Sequence, residues 1–207
     1  MNKNLNNKKS NWYKYYSNDF KLNRKPQFFS VFYQAREAIL NPDIKTMLEF
    51  GTGRNLTKAI VEHYGIKHKS VDFDDKRFIP DEISTILDFK DEKKYDMVAA
   101  FQVLEHNPLE ELKDNLLKLK SFSKKYIYLS IPYYGRWLSF SIFLNLLPKI
   151  SYHDNLLILW QRIFKKTRPI DEYKKRPDKY NAHWWEIGDS NFSKRDFQKL
   201  LEDIDLK

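Results

Sequence analysis

The 207-residue chain is 42% apolar, 16% aromatic and 31% charged, and its formal net charge is +9. That composition fits one globular domain with a sizeable core and excludes a disordered chain. With no cysteine, disulfide scaffolds, thiolate zinc sites, iron–sulfur clusters and thiol nucleophiles are excluded as well, and the expectation is a cytoplasmic protein.

The first residues hold no apolar stretch, so no secretory signal is expected. The longest apolar run, Trp137 to Leu147, is well short of the ~20 residues of a membrane-spanning helix. Residues 1–40 carry eight Lys/Arg against two acids and residues 161–180 eight against three, which leaves the rest of the chain slightly acidic. The basic arm interleaves Trp12, Tyr13, Tyr15 and Tyr16. It fits either a solvated surface or a contact with nucleic acid or an anionic membrane.

After the polar residues 1–25, apolar positions at helical spacing (Phe28, Val31, Phe32, Ala35, Ala38, Ile39) predict an amphipathic helix to Leu40. A turn at Asn41-Pro42-Asp43 leads into a strand from Lys45 to Phe50, which runs straight into Gly51-Thr-Gly53. A helix is predicted from Arg54 to Tyr64, closed by Gly65. Further strands are expected at Lys69–Phe73, Ile83–Leu87, Tyr95–Phe101 and Tyr126–Ile131. Pro108, with Asn107 as cap and Glu110 and Glu111 in the first turn, opens a helix to about Leu119.

Strands that are nearly continuously apolar and alternate with helices describe a parallel sheet covered on both faces, a doubly wound, Rossmann-like α/β fold. The rhythm breaks from Tyr133 to about Ala182, where two apolar stretches and a basic run read as an insertion or lid. Ser193-Lys-Arg-Asp196 is a capping-box pattern that opens a last helix to about Asp203. The organisation expected is therefore an arm and first helix (1–40), a core (41–132), the insertion (133–182) and a closing helix of the core (183–207).

Glu49-Phe-Gly51-Thr-Gly53 lies at a strand-to-helix junction, where glycines let backbone approach a ligand and helix N–H groups point at it. Two of the chain's five glycines fall in this turn. Asp72, nineteen residues after Gly53, stands where a carboxylate accepts both ribose hydroxyls of a nucleotide-like cofactor. A dinucleotide site wants a third glycine at position 56, which is Leu56. A ligand with an adenosine, a cationic end and no phosphate asks less of the turn, and Glu49 suits its cationic end.

With these residues the chain resembles the class I S-adenosylmethionine-dependent methyltransferases, in particular the small type 11-like group. The matching stretches are Glu49-Phe-Gly-Thr-Gly53, Ser70-Val-Asp-Phe-Asp74, Ile86-Leu-Asp-Phe89 and Tyr95-Asp-Met-Val-Ala-Ala-Phe-Gln-Val-Leu-Glu-His-Asn-Pro108. They cover residues 45–132 closely and 183–204 loosely. The resemblance implies S-adenosylmethionine as cofactor, with Glu49, Gly51 and Gly53 along its methionine, Asp72 on the ribose and Phe73 against the adenine. It further implies Asp88 and Phe89 at the adenine edge, and Phe101 and Gln102 beside the sulfonium. Asn55 replaces the family's third motif glycine.

His106 reads either as a structural hydrogen bonder or as an active-site base, and His183, in His183-Trp184-Trp185-Glu186, either as part of an aromatic cluster or as a group near the methyl acceptor. His63, His68 and His153 read as surface residues. No His/Asp/Glu grouping has metal-ligand spacing in the sequence, so no metal is expected. The apolar insertion argues for a small hydrophobic acceptor or for peripheral membrane attachment through 137–164, and the basic segments for an anionic acceptor, nucleic acid included. A methyltransferase-like binding module with little or no turnover, and a nucleic-acid or protein methyltransferase using the basic arm, are the remaining alternatives. Members of the family continue after the last helix with two more strands beside the fifth, so the expectation is a sheet lacking them, whose fifth strand is an edge where a second copy can pair.

Overall fold

The computed structural model describes residues 25–53, 55–74, 79–147, 150–161, 167–175 and 183–206. The basic arm expected before residue 25 and much of the basic run after Gln161 lie outside them. Helix α1 (Lys25–Leu40) leads to β1 (Thr46–Phe50), α2 (Leu56–His63), β2 (Lys67–Asp72), β3 (Glu82–Ile83) and β4 (Tyr95–Phe101). Two 3₁₀ turns (Leu104–His106 and Leu109–Glu111) precede α3 (Leu112–Phe122) and β5 (Ser123–Ser130). Then come β6 (Gly135–Leu147), β7 (Ile150–Gln161), α4 (Ile170–Lys175) and α5 (Lys194–Asp203).

Strands β1 to β5 form one sheet in the order β3-β2-β1-β4-β5, and every pairing in it is parallel. The side-chain period of two divides each central strand between two cores. Leu48, Phe50, Val98 and Ala100 face one layer with Leu112, Leu116, Leu119 and Phe122 of α3 and with Trp184 and Trp185. Met47, Met97, Ala99 and Phe101 face the other with Ala35 and Ala38 of α1 and Val61 of α2. All seven residues of β4 are buried, which is why it reads as a nearly continuous apolar run interrupted only by Asp96. The expected doubly wound α/β sheet is the architecture found.

The Asp96 carboxylate fixes the floor of the sheet, accepting the Lys45 and Thr46 N–H groups and the Thr46 hydroxyl at 2.9–3.0 Å. Asp81 ties the approach to β3 onto β2 by accepting the Ser70 N–H and hydroxyl at 2.8 and 2.9 Å.

Two local expectations are corrected. The third strand is two residues long rather than 83–87, because Ile86–Asp88 turns: the Thr85 hydroxyl donates to Asp88 at 2.6 Å and accepts the Asp88 N–H at 3.2 Å. Such local side-chain bonds compete with a strand ladder. The helix expected at Pro108 begins at Leu112, after the two 3₁₀ turns, and the Asn107 amide donates back to the Val103 carbonyl at 3.3 Å instead of capping it. The insertion contains a long antiparallel hairpin, β6 with β7, which forms a separate two-stranded sheet. The capping box stands as expected: the Asp196 N–H donates to Ser193 Oγ at 3.2 Å and the Ser193 N–H to the Asp196 carboxylate at 2.8 Å. Among the described residues no helix is long and apolar enough to cross a membrane.

Candidate functional site

The order of the sheet reverses between β1 and β4, and in such folds the crevice at the carboxyl ends of the strands there is where ligands bind. A cavity of about 350 Å³ opens at this place, lined by Gly51 and Gly53 after β1, Asp72 and Phe73 after β2, Ser84, Thr85 and Ile86 after β3, and Gln102, His106 and Asn107 after β4. A second hollow of about 240 Å³ shares Gly51 and Gly53 and adds Glu49, Thr52, Thr57 and Phe101.

Gly51 is required twice over. Its φ is +73°, and a Cβ built there would stand 2.1 Å from Cγ2 of Val103, so only a residue without a side chain lets the β1 and β4 loops meet. Its N–H donates to the Val71 carbonyl at 2.8 Å, so it contributes room rather than a donor. Asn55 has φ +55°; asparagine is among the few residues that tolerate the left-handed region, which accounts physically for its standing where the resemblance has a glycine. Gln102 also has a positive φ, +58°, and is held by its N–H to the Ser130 carbonyl at 2.8 Å and its amide to Ser130 Oγ at 2.9 Å. Strained backbone of this kind clusters at ligand sites.

Asp72 ends β2 with its carboxylate toward the glycine turn, accepting the Gly53 N–H at 3.4 Å and the Asp74 N–H at 3.3 Å. Burial raises its pKa, against the lowering pull of those N–H groups, and the Asp74 charge raises it further. Glu49 is 2% exposed and lies 2.8 Å from Nε2 of His68. Its pKa is raised as well, chiefly by burial, with His68 opposing. His68, expected at the surface, therefore has a fully buried side chain; the need to partner a buried carboxylate draws it in. His63 is exposed as expected, and the side chain of His153 lies outside the described residues.

The structure brings Gly51, Gly53, Asp72, Phe73, Gln102 and His106 together around the cavity, and Glu49 and Phe101 around the adjoining hollow. It places Phe89 elsewhere: that ring is 1% exposed, in edge contact with Phe50 and Phe122 in the core. Asp88 is spent on the Thr85 turn and is not among the lining residues. The edge of the cavity assigned to them is lined instead by Ser84, Thr85 and Ile86, which the over-long third strand had hidden.

At the other end, His106 and His183 meet in edge-to-face contact with ring centroids 5.0 Å apart. The Trp184 N–H donates to the Glu105 carbonyl at 2.8 Å, and the Trp185 indole N–H to the Asn107 carbonyl at 3.0 Å. Both indoles are 0% exposed, so the aromatic cluster and the placement of His183 are one arrangement. Nδ1 of His183 lies 3.0 Å from the Glu186 carboxylate. Glu105, to which the sequence reading assigns no role, is fully buried, and burial, helped by the Glu186 charge and opposed by its own backbone N–H, pushes its pKa up to about 8. Although no metal-ligand grouping is visible along the sequence, the fold sets ligand atoms of Glu105, His106 and His183 within 4.8 Å of one another.

The molecule is thus a doubly wound, Rossmann-like α/β protein with an open cavity at its switch point. No protein-family model matches the chain, and no curated protein matches it. Among solved structures, a DhpI–SAM–HEP complex aligns with 99% of this chain and 91% of its own at a TM-score of 0.49 and 10% identity. DesVI of Streptomyces venezuelae aligns with 94% and 88% at 0.48 and 7%. An S-adenosylmethionine-dependent methyltransferase from Clostridium acetobutylicum aligns with 92% and 86% at 0.48 and 11%. Likeness of this degree carries neither cofactor nor substrate over to this chain.

Proposed function

We propose that the chain binds S-adenosylmethionine across the glycine turn and transfers its methyl group to a small-molecule acceptor. The observation that carries this reading is the pairing of two features on one cavity: a Gly51 turn with no room for a Cβ, and the Asp72 carboxylate facing it from the end of β2. The residues fit the cofactor. Asp72 accepts the ribose hydroxyls, Ser84 to Ile86 and Phe73 flank the adenine, and the buried Glu49–His68 pair receives the amino-acid end, where burial strengthens its hold on an ammonium. Leu56, where a dinucleotide site has glycine, counts against a pyrophosphate ligand.

When bound, the cofactor supplies an activated methyl group on a sulfonium. The chain's own work is then to hold the acceptor in line and keep water out. His106, on the cavity wall, takes the proton of an oxygen or nitrogen acceptor, and His183 backs it from the 183–186 segment.

Calorimetric titration with S-adenosylmethionine and S-adenosylhomocysteine tests the cofactor. Wild type binds both, and Asp72→Ala weakens both by about 10–100-fold, the size of a lost charge-assisted pair of hydrogen bonds, with its thermal midpoint kept. Absence of binding to wild type overturns the reading and leaves a binding module of another kind.

A further inference from the structure

We propose that Glu105, His106 and His183 form a divalent transition-metal site at the acceptor end of the cavity, with Glu186 as a positioning residue for His183. One ligand atom from each of the three lies within 4.8 Å of the others. On a single ion with bonds of about 2.1 Å such atoms stand ~3–4 Å apart, so binding asks for a contraction of about an ångström, within reach of side-chain rotation.

Glu105 is the second observation. Its side chain is 0% exposed, and neither carboxylate oxygen has a hydrogen-bond partner on any other described residue. Buried carboxylates are normally paired, hydrogen-bonded or bound to metal. The groups at hand are two imidazoles, each able to present a ring-nitrogen lone pair, and together with the carboxylate these make a donor set for a shared cation.

His183 is already set for that role. With its Nδ1–H directed to the Glu186 carboxylate 3.0 Å away, the tautomer leaves Nε2 as the free donor; a carboxylate behind a ligating histidine orients the ring and raises its basicity. The backbone holding the site is tied at two points. The Trp184 N–H and the Trp185 indole clamp residues 184–185 onto Glu105 and Asn107, acceptors that lie 79 and 78 positions earlier in the chain.

Two imidazoles and one carboxylate suit zinc, manganese, iron or cobalt, and suit the all-oxygen ions calcium and magnesium poorly. Because His106 also lines the cavity, coordination positions left open face the space assigned to the acceptor. An acceptor that presents an oxygen donor there, such as a hydroxyl, is the class of substrate the site takes. That choice of acceptor rests on the methyl-transfer reading and the metal site does not; with the ion bound His106 is a ligand, so the proton-accepting role given to it above belongs to the metal-free protein.

Protein stripped with EDTA is titrated with cobalt chloride and followed by visible ligand-field absorption and by calorimetry. The expected result is one Co²⁺ per chain, displaced by Zn²⁺. Glu105→Gln, nearly isosteric, and His183→Ala each weaken binding by at least about 100-fold, and Glu186→Gln by about tenfold, as for a group that orients a ligand. Failure of wild type to bind Co²⁺ stoichiometrically overturns the proposal, and so does unchanged affinity in the folded Glu105→Gln protein. S-adenosylhomocysteine titration of the same EDTA-treated samples separates the two ideas. Retained S-adenosylhomocysteine binding with no Co²⁺ site removes the metal alone, and retained Co²⁺ binding with no S-adenosylhomocysteine binding removes the cofactor reading alone.

Discussion

The two ends of the cavity are built on different principles. The end at β1 and β2 is made of residues close in sequence, with backbone geometry setting its shape: Gly51, Gly53 and Asp72 fall within one strand–helix–strand unit. The end at His106 is assembled from two segments far apart in the chain and held by two buried tryptophans. The first end depends on having no side chain at one position. The second depends on large side chains at two. A local motif can therefore announce the first, whereas the second exists only once the chain is folded.

That contrast can be broken hardest at Gly51. Gly51→Ala meets both a φ of +73° and a 2.1 Å overlap with Val103, and we expect a loss of about 3 kcal/mol from strain and overpacking together, read in urea unfolding. Gly53→Ala makes a paired control. Its φ is +52° but nothing lies within 4 Å of its Cβ position, so the strain alone remains, about 1 kcal/mol.

At the far end, Trp185→Phe keeps most of the apolar ring and removes the indole N–H that satisfies the Asn107 carbonyl. A cost of about 2 kcal/mol is expected, the size for an orphaned buried acceptor with some lost packing. The same variant loosens the segment that carries His183, so imidazole resonances of His106 and His183 in NMR spectra shift while those near Asp72 stay in place. A shift near Asp72 of equal size would show that the ends are not independent.

The smallest effect concerns acid. Burial pushes the Asp91 carboxyl up, but the Lys93 N–H, the Tyr95 hydroxyl and the Lys69 ammonium outweigh it and hold its pKa down to about 2. A carboxylate whose folded pKa is below its unfolded value of about 3.9 gives stability that is fully present above that value and is lost as the pH falls toward 2. Asp91→Asn therefore lowers stability at neutral pH slightly and flattens the acid limb between about pH 4 and 2, as denaturant titrations at a series of pH values would record.

Much of the first end was legible in the sequence. The apolar run of β4, the glycine turn, Asp72 at the end of β2 and the capping box at Ser193 are local patterns, and each stands where the pattern puts it. Ile83 to Leu87 reads as a strand along the sequence, while a hydroxyl–carboxylate turn at Thr85 and Asp88 ends the strand at Ile83, and Phe89 then falls into the core. His68 looked like a surface residue because its neighbours are lysines, and its burial follows from Glu49 on the adjoining strand. His106 and His183 each had a signal of their own along the chain, but Glu105 had none and neither did the grouping, since the Trp184 and Trp185 contacts bring His183 to it.

The most direct test of the account is a crystal structure with S-adenosylhomocysteine. The prediction is one ligand in the cavity, its ribose on Asp72, its adenine between Phe73 and Ser84 to Ile86, and its amino-acid end toward Glu49. A ligand bound away from Gly51 and Asp72, or with its adenine at the Glu49 end, would contradict it.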